Sequence, residues 1–343
     1  MITNPPQQRH VGRRTYARPS ARTVTGGDHQ LWLVRHLTAR DRWLARMVGE
    51  HRVLTTHQIT RLGWTSQRSA NIRLLGLYRW RVLDRFQPLV SRGLAPMHYI
   101  LDVAGAAVLA HEDDLDPKKI GYQHDRAKGI AHSLHLAHRV VVNEMFTHLV
   151  HHARQPDSAA RLTAWWSQER CAFAFGDIVR PDAYGRWAER GVTLDWFLEL
   201  DQGTEATRRL AVKLLDYHKL ATTTRITTPV LFWFPTTRRE VAARKALAPT
   251  LRGLGQPALV PVATTAADLT ATDDHLDPTL ARWLPLGPTG PGRLSLRHLG
   301  QFWPNRLAAS GTDAVASPPT REGRLRPPPP MPPTGVDGQY NAA

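Results

Sequence analysis

A single cysteine, Cys171, is all the thiol chemistry available to the 343-residue chain. That excludes an internal disulfide and a cysteine-rich zinc site, and it suits a reducing compartment. Long apolar runs are missing too. No stretch approaches the roughly 20 residues of a membrane-spanning helix, so insertion into a bilayer is not expected. The first residues, MITNPPQQRHVGRRTYARPSARTV, lack the apolar segment of a secretory signal. Together these absences predict a cytoplasmic location. The glycine-containing run GPTGPGR lacks the Lys-Ser/Thr end of a phosphate loop, which argues against an ATPase. Acid is scarce: 29 Asp and Glu stand against 45 Lys and Arg, for a formal net charge of +16. Such an excess selects polyanionic partners, nucleic acid before an anionic membrane surface.

What is present falls into blocks. Residues 1–28 are polar and basic and read as a disordered arm able to touch phosphates. Residues 311–343 are Pro-rich and read as an extended, unpacked tail. A charged segment, residues 111–129, separates two larger blocks and reads as a linker. Residues 266–310 form a C-terminal extension.

In the first block, residues 31–110, TARDRWLARMVGEHR predicts a helix capped by Thr38, with Trp43, Leu44, Met47 and Val48 on its apolar stripe. LTTHQITRLG predicts a short second helix ending at Gly63. SQRSANIRLLGLYRW predicts a third, capped by Ser66. Two extended pieces, RVLDRF and MHYIL, follow, joined by turn residues, and then DVAGAAVLA resumes as a helix. Three helices followed by a β-hairpin resemble a winged helix-turn-helix domain. That resemblance implies that the third helix enters the major groove of double-stranded DNA. Ser66, Gln67, Arg68 and Asn71 would reach base edges, Gln and Asn suiting adenine and Arg guanine. Arg73, Arg79 and Arg92, with Arg61, Arg81 and Arg85, would hold phosphates.

The second block, residues 130–265, reads as helix, three extended segments, helix, strand, helix, strand. CAFAFGDIVRPDAY is read as the strand that ends at Asp182. This order predicts an α/β domain with a mixed central sheet, and an α+β chain overall. Within it, VTLDWFLELD alternates as a strand. Period two puts Asp195, Phe197, Glu199 and Asp201 on one face, and Trp196, Leu198 and Leu200 on the other. Antiparallel pairing with the preceding strand would bring Asp182 close. Three carboxylates at short range repel one another, and a divalent cation, Mg²⁺ by preference, relieves the repulsion. In the next helix Lys213 shares a face with Ala206, Leu210, Tyr217 and Leu220. Its ammonium either snorkels to the edge or points at the carboxylates. The histidines His148 and His152 have no Glu between them in a zincin pattern and read as packing residues.

The element order αβββαβ, with Asp182 in RPDA, Glu199 in FLELD and Lys213 in the following helix, looks like the PD-(D/E)xK nuclease superfamily. The whole pattern over about residues 31–250, a winged helix followed by RPDA, FLELDQGTE and KLLDYHKL, resembles the replication-relaxation family of plasmid and mobile-element proteins, found especially in actinobacteria. The resemblance implies a DNA-binding protein acting in replication or DNA relaxation. It also implies Asp182, Glu199 and Asp201 as metal-binding and catalytic residues, with Lys213 beside them and Glu144 as a further acid. The superfamily pattern wants acid-x-lysine on this strand, but Asp201 stands where the lysine belongs. Two classes therefore remain open: a Mg²⁺-dependent nickase, and a non-catalytic DNA-binding initiator or regulator. Other plasmid replication or transfer proteins are further candidate partners.

Overall fold

The computed structural model describes residues 8–10, 26–89, 93–203, 206–267, 277–287, 292–303 and 323–333. The chain divides into two compact units, residues 1–136 with 321–343, and residues 137–320. No helix among the described residues is long and apolar enough to cross a membrane.

The first unit begins with β1 (Gln8–His10) and α1 (Gly27–His36). Next comes α2 (Ala39–His51), where Thr38 and Asp41 form a reciprocal capping box. A second box, from Thr55 and Gln58, starts α3 (Thr56–Gly63) directly after the short β2 (Leu54–Thr55). Ser66 caps α4 (Gln67–Arg79). The hairpin strands are β3 (Leu83–Pro88) and β4 (His98–Leu101), and α5 (Val103–Glu112) follows with Asp102 as its cap. The sheet order is β1-β3-β4-β2. Leu44, Met47, Val48, Ile59, Leu62, Leu74 and Leu77 are fully buried and form the core between these helices and the sheet.

Three expectations about segment boundaries need correction. Residues 111–129 are not a free linker. Asp113 is buried against Arg46, the Tyr122 hydroxyl donates to the Leu101 carbonyl, and α6 (His124–Lys128) places His124 against Asp84. These charged groups have buried partners, so the boundary falls after Leu136. The Pro-rich tail is not unpacked throughout, because residues 323–333 lie against the first unit with Pro328 buried. In the basic arm, residues 8–10 pair with β3, while residues 1–7 and 11–25 lie outside the described residues.

The second unit starts on α7 (Leu136–Ala153). Its sheet is built from β5 (Ala160–Trp166), β6 (Ala183–Glu189), β7 (Val192–Leu200), β8 (Val230–Phe234), β9 (Val262–Ala266) and β10 (Leu284–Pro285), in the order β10-β9-β8-β7-β6-β5. β6 runs antiparallel to both β5 and β7. β7, β8 and β9 are parallel, because α9 (Thr207–Thr224) and α10 (Thr237–Gly253) carry the chain back between them. The extension after residue 265 belongs to this unit: β10 closes the sheet edge, and Gly300 of α11 (Leu296–Phe302) sits on Val192 and Leu194 of β7.

CAFAF is helical rather than extended. Ser167 caps α8 (Gln168–Phe175), which places Cys171 and Phe175 in the core. The strand beside β7 therefore starts at Ala183 and does not end at Asp182. β7 is buried on both faces. Trp196 stacks with Phe146 of α7, while Phe197 packs on Phe175, Tyr184 and Tyr217.

Candidate functional site

The geometry around Asp182 is set by a two-residue turn. Arg190 and Gly191 both have positive φ, 48° and 79°, as the tight hairpin turn matching strand twist requires. That turn fixes the β6–β7 register, Glu189 with Val192 through Ala183 with Leu198. One further step places Asp182 opposite Glu199. The Asp182 N–H donates to the Leu198 carbonyl at 3.1 Å, and its Oδ2 accepts from the Leu200 N–H at 2.8 Å.

Both carboxylates are buried, and each has a basic side chain from a different helix. His138 Nε2 of α7 lies 3.0 Å from Asp182 Oδ1. Lys213 Nζ of α9 donates to Glu199 Oε2 at 2.6 Å, and the Tyr217 hydroxyl donates to Oε1 at 2.6 Å. Lys213 and Tyr217 are one helical turn apart, so a single face of α9 grips both oxygens. Burial pushes Glu199 up to about 7 against the pull of Lys213. Burial also works to raise Asp182, but the His138 hydrogen bond and charge, Lys213 and the Leu200 N–H hold it below its ordinary value. Burial works to lower His138, and its bond to Asp182 outweighs that and raises it.

Asp201 does not join this pair. β7 ends at Leu200, so the period-two placement stops applying. The Asp201 carboxylate turns to Arg239 Nε at 2.6 Å and the Gly203 N–H at 2.7 Å. Asp195, expected on the same side as Glu199, pairs across the hairpin with Arg186 at 2.5 Å. Glu144 sits beside His148 on α7, with Oε1 3.4 Å from Nε2. His138 was missed in the sequence because no spacing links it to Asp182; only the fold of α7 along the sheet does. Thr204 and Glu205 lie outside the described residues.

Among the described residues one His/Cys/Asp/Glu trio, Asp84, Asp102 and His124, brings its ligand atoms within 4.8 Å of one another. No short spacing in the sequence links the three residues. Lys128 lies 3.7 Å from Asp84 and Arg81 3.5 Å from Asp102, so the chain already supplies cations to both acids.

On the first unit, Ser66, Gln67, Arg68 and Asn71 are exposed at the start of α4, and Arg79 is exposed at its end. Ile72, 67% exposed, accompanies them. The Ser66 hydroxyl accepts from the Ser69 N–H as the helix cap. Arg73 is committed elsewhere: its guanidinium grips the buried Asp41, with Nε 2.8 Å from Oδ1, and lies over the Trp80 ring. Arg85 covers the Tyr78 ring. Arg92 lies outside the described residues.

No curated protein and no solved structure matches this chain. The replication-relaxation family model matches residues 46–235, more than half of the chain, from within α2 to just past β8. The chain therefore belongs to the replication-relaxation family.

Proposed function

We propose that the chain binds double-stranded DNA through its first unit and nicks DNA with its second, in plasmid or mobile-element replication or DNA relaxation. Family membership supports the process. The order α2, α3, α4 and the β3–β4 hairpin supports a winged helix with α4 as the recognition helix. Gln67, Arg68 and Asn71 then read base edges, with Arg79 on phosphate. Three antiparallel strands joined through α9 to a parallel β8 support a PD-(D/E)xK-like second unit. A single-strand break lets supercoiled DNA unwind, which is relaxation.

The observation that carries the nuclease reading is the 2.6 Å contact between Lys213 Nζ and Glu199. It supplies, from a neighbouring helix, the lysine missing at position 201. Asp182 and Glu199 face one another on one side of the hairpin, and two carboxylates with phosphate oxygens suffice for Mg²⁺; Asp201 is outside that set. Bound there, the cation would neutralise phosphate charge and acidify a water. Lys213 sets its charge where a scissile phosphate gathers negative charge. Tyr217 fixes the Glu199 rotamer, and His138 holds a proton against Asp182.

Supercoiled plasmid incubated with Mg²⁺, Mn²⁺ or EDTA tests this reading. Metal-dependent nicked circles, lost in Asp182→Ala and Glu199→Ala, are the expected result. Tight DNA binding without cleavage under any metal condition would overturn the enzyme. A second reading, a non-catalytic initiator or regulator, is favoured by one observation: both carboxylates are already satisfied by His138, Lys213, Tyr217 and the Leu200 N–H.

A further inference from the structure

Residues 326–333 read RPPPPMPP. Proline fixes its own φ and drives the residue before it out of the helical region, which keeps residues 326–329 extended up to a bend at Pro330 and Met331. An extended proline run makes no internal hydrogen bonds, so its carbonyls are open to a donor. In the first unit they find donors. The Trp43 indole Nε1 donates to the Pro329 carbonyl at 2.8 Å, and Arg46 Nη1 donates to the Arg326 carbonyl at 3.2 Å. The Arg326 N–H donates to Asp113 Oδ2 at 2.7 Å, and the Arg326 side chain lies 3.6 Å from the same carboxylate. Pro328, between these anchors, is buried.

The receiving side has contacts of its own besides those to the tail. Arg46 is clamped by both oxygens of Asp113 at 2.8 Å and by Glu112 at 3.0 Å. Trp43 belongs to the apolar stripe of α2 and is nearly fully buried. An indole N–H for a proline carbonyl, beside an acid for a preceding arginine, is the chemistry by which aromatic grooves take proline-rich ligands. The tail lies outside the residues that the family model matches.

We infer that Trp43, Arg46 and Asp113 form a receptor groove for an arginine-led, proline-rich peptide, and that residues 326–333 fill it in cis. The tail is thus a tethered ligand, which a proline-rich segment of the same pattern displaces.

The test uses the full-length chain and a labelled peptide of residues 326–333. In a full-length variant with residues 321–333 replaced by a Gly/Ser segment of equal length, the peptide should bind at least about 100-fold more tightly than in the wild type. Trp43→Phe in that background keeps the ring, loses the donor, and should weaken binding at least 10-fold. A peptide with Ala for its prolines should not bind. Equal binding to the wild type and the Gly/Ser variant, or no effect of Trp43→Phe, would overturn the inference. A wild-type dimer that the Gly/Ser replacement dissociates would overturn occupancy in cis. If the replaced chain fails to fold, the wild type still decides: excess unlabelled peptide should speed tryptic cleavage after Arg324 several-fold, and an unchanged rate sinks the proposal.

Discussion

Asp182 and Glu199 stand opposite one another at the open end of the β6–β7 hairpin, and each is held by a basic side chain from a different helix, His138 from α7 and Lys213 from α9. Two acids on one face of a hairpin repel. Lys213 supplies a compensating charge and His138 a close polar partner, and the β-turn at Arg190–Gly191 fixes the register that brings the acids together.

Lys213 is the residue on which the nuclease reading turns. Lys213→Met should lower metal-dependent nicking by about 10²-fold or more, with DNA affinity unchanged in a binding assay. Lys213→Arg, which keeps the charge, should retain part of the activity. Wild-type nicking by the Met variant would remove Lys213 from the chemistry.

The pH dependence follows from the same residues. Glu199 sits at about 7, above its ordinary 4.5. The folded chain keeps a proton that the unfolded chain has lost. The stability this contributes is full below about 4.5 and is lost as pH rises through about 7. His138, also raised, acts in the same direction above its ordinary 6.5. Asp182 is lowered, so its contribution is present above the ordinary carboxylate range and lost only in acid. Thermal melts of Glu199→Gln should therefore decline less than the wild type between pH 5 and 8. Parallel slopes would contradict the raised value.

Local chemistry made much of the fold readable in advance. Thr38 and Ser66 cap the helices they were expected to cap, because a cap depends on residues within one turn. The strand over 192–200 and the apolar run over 230–234 were readable from period and length. Alternation groups Asp201 with Glu199 only when it is carried one residue past the strand end at Leu200. The helix over 168–175 hid in a short apolar run; Ser167 before it and Gly176 after it were the available signals. Contacts made at long range left no trace in spacing. His138 on Asp182, Asp41 on Arg73 and Trp43 on Pro329 each needed the folded chain.

Gly185 tests the packing beneath the site. A Cβ there would lie 2.3 Å from the ring of Trp196, a fully buried side chain stacked on Phe146. The ring has no free end to swing aside. Gly185→Ala should cost about 1–3 kcal/mol in chemical denaturation. An unchanged midpoint would mean that the β6–β7 hairpin yields more easily than its register implies.

Two arginines of α4, five residues apart, should separate folding from binding. Arg73 neutralises Asp41, a carboxylate 1% exposed that also completes the cap of α2. Removing one partner leaves a buried charge uncompensated, so Arg73→Ala should cost about 3 kcal/mol of stability. Arg68 is exposed at the first turn of the same helix, and Arg68→Ala should leave the melting temperature within a degree or so of wild type. On DNA the order reverses. Arg68→Ala should weaken specific binding by about 1–3 kcal/mol and non-specific binding less, whereas Arg73→Ala, assayed below its melting transition, should bind as the wild type does. Equal loss on every sequence would make Arg68 a phosphate contact. A stable Arg73→Ala with impaired binding would return Arg73 to the DNA-facing surface.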